Sequence, residues 1–155
     1  MLHLVKSLLE FNSAMADQLR AVSAYDEALA LHGAKDFKKA LPLMQECAML
    51  GYPAAMCMLG SMYLLGQGVR ENGMEAERWL VKSVDAGFDG AISLLGMAYA
   101  TGKAGVPVNR IKAREMLQVC ASRGDEQSLR MLRMMDERKG IFASGTTKQR
   151  ERTRR

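Results

Sequence analysis

Two stretches of the chain repeat one another at a fixed spacing, and that repeat limits the possible folds more than any other feature. Residues 59–69 read Leu59-Gly60-x-x-Tyr63-x-x-Gly66-x-Gly68-Val69, and residues 95–106 read Leu95-Gly96-x-x-Tyr99-x-x-Gly102-x-x-Gly105-Val106. The blocks lie 36 residues apart, and the second has one extra residue in its turn. Each is followed by a second helical stretch: Met74 to Ala86, with Ala76, Trp79 and Leu80, then Arg110 to Arg123, with Ala113, Met116 and Leu117. Each of these closes on a glycine, Gly87 and Gly124, and Gly51 stands 36 residues before Gly87. Self-similarity at such a period marks an array of supersecondary units that bury their apolar faces by stacking. A composition rich in Met and Ala, with three prolines and few aromatics, makes the repeating unit helical rather than stranded.

Each repeated residue has a physical reason. Gly60 and Gly96 fall inside helices, where glycine costs about 1 kcal/mol against alanine. That cost is tolerable where the missing side chain lets a second helix come close. Tyr63 and Tyr99 follow three residues later, on the same face. The glycines at 66, 68, 102 and 105 end the first helix and form the turn, where left-handed backbone is needed. Asn72 with Glu75 reads as a helix cap and its reciprocal partner; Asp36, Asp89, Asn109 and Asp125 stand at other helix starts, and Pro53 suits a first helical turn.

These residues resemble the Sel-one-like repeat family, a branch of the tetratricopeptide superfamily. Its pattern runs Ala-x-x-x-Leu-Gly-x-x-Tyr-x-x-Gly-x-Gly-Val, a variable loop, Lys-Ala-x-x-Trp/Tyr and a closing Ala-x-x-Gly. Residues 53–88 and 89–124 follow it; Met116 stands where an aromatic is usual. The resemblance implies an all-α fold, an α-solenoid of stacked antiparallel helix hairpins. It also implies a non-catalytic adaptor or scaffold that binds another protein or peptide. Many small bacterial members serve secretion, signalling or toxin systems, so a sharper expectation is an immunity or chaperone protein for a bacterial toxin or effector. Secreted members pair cysteines eight positions apart; Cys47 and Cys57 are ten apart, so free thiols are expected here.

The flanking segments are degenerate. We expect a helical repeat domain over 1–138, with an ordinary tetratricopeptide-like unit over 14–51 turning near Gly33, the two repeats, and a capping helix over 125–138. Ser128 and Leu132 take the Ala and Leu positions of that last helix, and Arg133 replaces its glycine, so no close partner helix is expected there. Leu2, Val5, Leu8 and Leu9 suggest a further helix packed on the N-terminal end. Residues 139–155 lack periodicity and read as a basic, disordered tail.

Charge separates body from tail. Residues 1–138 hold sixteen basic and sixteen acidic side chains, while 139–155 hold six basic ones and Glu151. The pI of 9.3 therefore describes the tail. That arm is the basis of the alternative reading, a nucleic-acid-associated factor, but it carries no aromatic in its basic stretch for stacking on bases, and nucleic acid is the less expected partner. Ala14-Met15-Ala16 resembles a leader cleavage site, yet Lys6, Ser7 and Glu10 break the apolar core such a leader needs. No apolar run is long enough to span a membrane. An odd number of cysteines (Cys47, Cys57, Cys120) fits a reducing cytoplasm. A monomer is expected.

No catalytic motif, phosphate loop or metal-ligand spacing is present, and no cofactor is expected. His3 and His32 fall in different units, and Cys57, Met58 and Met62 read as flexible core rather than a soft-metal site. The first helix of each pair should line a concave groove. Phased on the Leu-Gly pairs, the groove residues are Cys57, Ser61, Leu64 and Leu65 in one unit, and Ser93, Met97, Ala100 and Thr101 in the next. The first unit adds Tyr25, Leu29 and His32, and the last helix adds Arg130, Met134 and Glu137. Such a Met/Leu surface suits an amphipathic helix or an extended peptide.

Overall fold

A computed structural model describes residues 2–137, whose regular secondary structure is entirely helical, with no strand among them. In chain order the helices are α1 (Leu2–Gly33), α2 (Phe37–Met49), α3 (Pro53–Leu65), α4 (Gly73–Asp85), α5 (Asp89–Thr101) and α6 (Arg110–Ser122). A single 3₁₀ turn spans Lys103–Gly105, and a last helix, α7, occupies 126–137. The basic tail expected over 139–155 lies outside the described residues. Contacts divide the chain into two compact units: Met1–Ala91 with Lys103–Val106, and Ile92–Gly102 with Pro107 onward.

In the first unit α1 packs on α2, α2 on α3, and α3 on α4. The α3–α4 pair is antiparallel: Ser83 Oγ donates to Pro53 O at 2.7 Å, Gly60 faces Leu80, and Asn72 N donates to Tyr63 O at 3.0 Å. A Cβ on Gly60 would meet Leu80 Cγ at 2.7 Å and Ala76 O at 3.2 Å, so the glycine is the notch that sets the helix separation. The core collects Ala40, Met44, Cys47, Ala55, Leu59, Met62 and Trp79, and Leu80 is fully buried beneath Gly60. The 3₁₀ turn packs on α3 and α4, and its backbone leaves no space for a Cβ on Gly73, which would lie 2.5 Å from Val106 N.

The second unit repeats the design. A Cβ on Gly96 would lie 3.1 Å from Leu117 Cγ, and Asn109 N donates to Tyr99 O at 3.0 Å, as Asn72 does to Tyr63. The extra residue of this repeat is absorbed at Ala104, which takes a left-handed conformation (φ 56°). Asp125 caps α7 through the backbone N–H of Gln127 and Ser128, and it also accepts the fully buried Ser128 hydroxyl at 2.5 Å.

Two local expectations need correction. The N-terminal residues do not form a separate helix: α1 is unbroken from Leu2 to Gly33, so no boundary appears near residue 14. No glycine or proline interrupts the chain before Gly33, and the turn that follows places Lys35, not Gly33, in left-handed backbone (φ 61°). Asn72 does cap α4, accepting from Met74 N and Glu75 N, but the reciprocal bond is missing. The Asn72 N–H is already committed to Tyr63 O, and the Glu75 carboxylate instead accepts from Arg78 at 2.6 Å.

Candidate functional site

In the first unit, one face joins the end of α1 to α3. Tyr25 is half-buried with its ring 4.8 Å from that of Tyr52, and desolvation holds its hydroxyl pKa above the usual phenol value, with the nearby Tyr52 adding to the effect. His32 shares a 2.9 Å hydrogen bond with Gln67 Oε1 and meets Phe37 edge-on at 5.0 Å, which ties α1 to the turn after α3. Cys57 and Ser61 are half-buried, while Leu29 and Leu65 are exposed. Burial pushes the Cys57 thiol up to about 11, so it stays protonated and is a poor nucleophile at neutral pH.

Leu64 is a correction. It is 3% exposed and belongs to the core. It lies one helical turn beyond Gly60, on the side of α3 that meets α4, so the expected groove phase is wrong at that position.

In the second unit, a cavity of about 380 Å³ opens between the end of α5, one face of α6, and α7. Its walls are Ala100, Thr101, Ile111, Gln118, Met131, Met134 and Met135, with Arg110, Arg114 and Glu115 among the charged groups at its edge. Arg114 Nη2 donates to Asp136 at 2.6 Å, a bond that pins α7 to α6 and leaves the methionines to form the floor. Thioether side chains are flexible and polarisable, so such a floor adapts to different apolar guests. A cavity this size holds one or two large side chains, or a small ligand.

The structure brings only part of the expected set together here. Ala100, Thr101 and Met134 line the cavity; Ser93 and Met97 are half-buried and do not, and Arg130 and Glu137 are exposed away from it. Arg130 pairs with Glu126 at 3.3 Å, and the Thr101 hydroxyl donates back to Met97 O. Missed were Ile111, Arg114 and Gln118, which recur at helical spacing on α6, and Met131 and Met135 on α7. The available signal was Arg133: with an arginine in the glycine slot, α7 has no notch for a second helix, and the α6 face beside it stays open. A second depression, of about 440 Å³ in the first unit, is lined by Pro42, Met49, Tyr63 and Trp79 with Glu46 and Arg78. Among the described residues no three potential metal ligands converge, no buried side-chain N or O lacks a hydrogen-bond partner, and no helix is long and apolar enough to cross a membrane.

Comparison with known proteins agrees with this geometry. The Sel1 repeat model matches residues 53–88 and 90–125, the second match beginning one residue later than the spacing predicts. The Sel1 repeat protein from Oxalobacter formigenes is similar at 26% identity over 69% of this chain and 44% of its own (TM-score 0.61). So is c5321, a protective antigen present in uropathogenic Escherichia coli strains and displaying an SLR fold, at 27% identity over 77% of this chain and 26% of its own (TM-score 0.68). Helicobacter pylori cysteine rich protein B shares the fold at 21% identity, over 59% of this chain and 68% of its own (TM-score 0.51). This chain thus spans less than half the length of the first two. No curated protein sequence gives a significant match.

Proposed function

We propose that this chain, whose residues 53–88 and 90–125 match the Sel1 repeat, is a non-catalytic binding module for a polypeptide partner, since such repeats generally serve protein–protein interaction. The observation that carries the reading is the methionine-floored cavity of the second unit, apolar within and charged at its edge. An amphipathic helix or extended peptide meets those needs: an apolar side chain seats on Met131, Met134 and Met135, and polar neighbours reach Arg110 and Glu115. The α1–α3 face of the first unit, with Tyr25, Leu29, His32, Cys57, Ser61 and Leu65, is the second contact region. The raised pKa of the Cys57 thiol runs against a nucleophilic role.

A finer reading makes the guest a bacterial toxin or secreted effector, with this chain as its immunity or chaperone protein; its support is the family resemblance alone. Co-expression with the products of neighbouring genes tests both levels. The module reading expects a stable complex that Met131→Glu with Met134→Glu abolishes while helicity is unchanged. Binding that survives this pair but disappears on deletion of residues 140–155 would favour the nucleic-acid or tail-mediated alternative.

A further inference from the structure

The first helix carries an apolar stripe that no described residue covers. Helix α2 reaches it only near its middle: the Cys47 thiol donates to Ala21 O at 3.3 Å, and Arg20 pairs with Glu46 at 2.6 Å. Every residue from Leu9 to Arg20 is exposed. At 1.5 Å per residue, the segment before Ala21 overhangs α2 by about 28 Å. Phe11 is 61% exposed, Met15 47%, Leu19 67% and Val22 39%. At about 100° per residue these four fall within an arc of about 80°, while Glu10, Ser13, Asp17 and Arg20 occupy the opposite side. Most of a protein helix's stability comes from packing an amphipathic face, so this helix is stabilised by burying its stripe.

The stripe is also symmetric along the chain. Phe11, Met15 and Leu19 are separated by four and four residues, the same order in either direction. We propose that α1 pairs antiparallel with α1 of a second copy of this chain, about a two-fold axis beside Met15. Met15 then meets its own counterpart and Phe11 lies level with Leu19, so these levels are apolar on both sides. The overhang allows this arrangement and disfavours the parallel one. In an antiparallel pair the two repeat bodies, each packing from Ala21 onward, stand at opposite ends; in a parallel pair they crowd the same end. Between the two copies of Val22 the pair runs about 21 Å, a contact smaller than the ~1,200 Å² of a standard specific interface, so the dimer is expected to dissociate at low concentration.

The test is sedimentation equilibrium of the full chain, of 17.1 kDa. The expected result is a concentration-dependent doubling of mass in the micromolar range. Met15→Glu and Met15→Lys each weaken association at least tenfold, and an equimolar mixture of the two restores it, because position 15 faces itself. Under mild oxidation Met15→Cys gives a cross-linked dimer, whereas Phe11→Cys does not. Its two copies lie about 12 Å apart along the axis, beyond disulfide reach. Neither the wild type, with its native cysteines, nor Phe11→Cys should cross-link at the Met15→Cys rate. A monomer at all concentrations up to about 100 µM overturns the proposal. So does failure of the Glu/Lys mixture to associate, and so does cross-linking of Phe11→Cys as fast as Met15→Cys, which would indicate a parallel pair.

Discussion

Gly60 and Gly96 hold equivalent places in two repeats, yet alanine is expected to act differently at each. In a helix interior, alanine for glycine gains about 1 kcal/mol of propensity. At Gly60 the added methyl would meet Leu80 Cγ at 2.7 Å, Leu80 Cδ2 at 3.0 Å and the Ala76 carbonyl oxygen at 3.2 Å. Leu80 is fully buried and the carbonyl is backbone, so relief requires α3 and α4 to move apart. Overpacking of this kind costs about 1–3 kcal/mol, for a net loss of about 1 kcal/mol, or roughly 2–4 °C in a chain of this size. At Gly96 the nearest atoms are Leu117 Cγ at 3.1 Å, Leu117 Cδ2 at 3.3 Å and Met116 Cβ at 3.3 Å, all side-chain atoms that yield by a few tenths of an ångström. There the propensity gain and the crowding nearly cancel, and stability should change by less than about 0.5 kcal/mol. Urea unfolding followed by circular dichroism measures both. The notch argument fails if Gly60→Ala is as stable as the wild type, or if Gly96→Ala is the more damaging of the two.

Four further outcomes follow. Lys35→Gly should stabilise by up to about 1 kcal/mol in thermal melts, since Lys35 occupies left-handed backbone (φ 61°) that glycine adopts without strain. The caps at Asp36 and Asp125 lower both carboxyl pKa values, chiefly through the side-chain bonds to Lys39 and Ser128, below the ordinary 3.8. Their stabilisation is therefore present above about pH 4 and lost as pH falls through the lowered folded values, and Asp125→Ala should flatten the acid limb of a stability–pH curve. Burial holds the Cys57 thiol at about 11 and raises that of Cys47, so a thiol reagent at pH 8 should label these two slowly in the native chain and promptly after unfolding. Ser83→Ala removes a buried 2.7 Å bond to Pro53 O and should lower stability by about 1 kcal/mol in urea unfolding.

Much of the architecture was legible in the sequence because each sign has a local cause. The 36-residue spacing, the glycine notches, the Asn72 and Asn109 caps and the first-turn Pro53 depend on backbone conformation and near neighbours, which a sequence carries directly. Side-chain exposure is not local in that sense. Leu64 and Leu65 are adjacent and chemically identical, yet one is core and the other 53% exposed, because only packing decides which side of α3 meets α4. The cavity was half legible for the same reason: Thr101 and Met134 lay on the phased face, whereas Ile111 and Met131 joined them only when α6 and α7 came together. The continuity of α1 was written in the absence of any breaker before Gly33; the overhang of its first half was not, because it depends on where α2 ends. Sequence set the repeating unit through short-range sterics and hydrogen bonding, and tertiary structure decided which faces stay open, because burial is a property of neighbours distant in the chain.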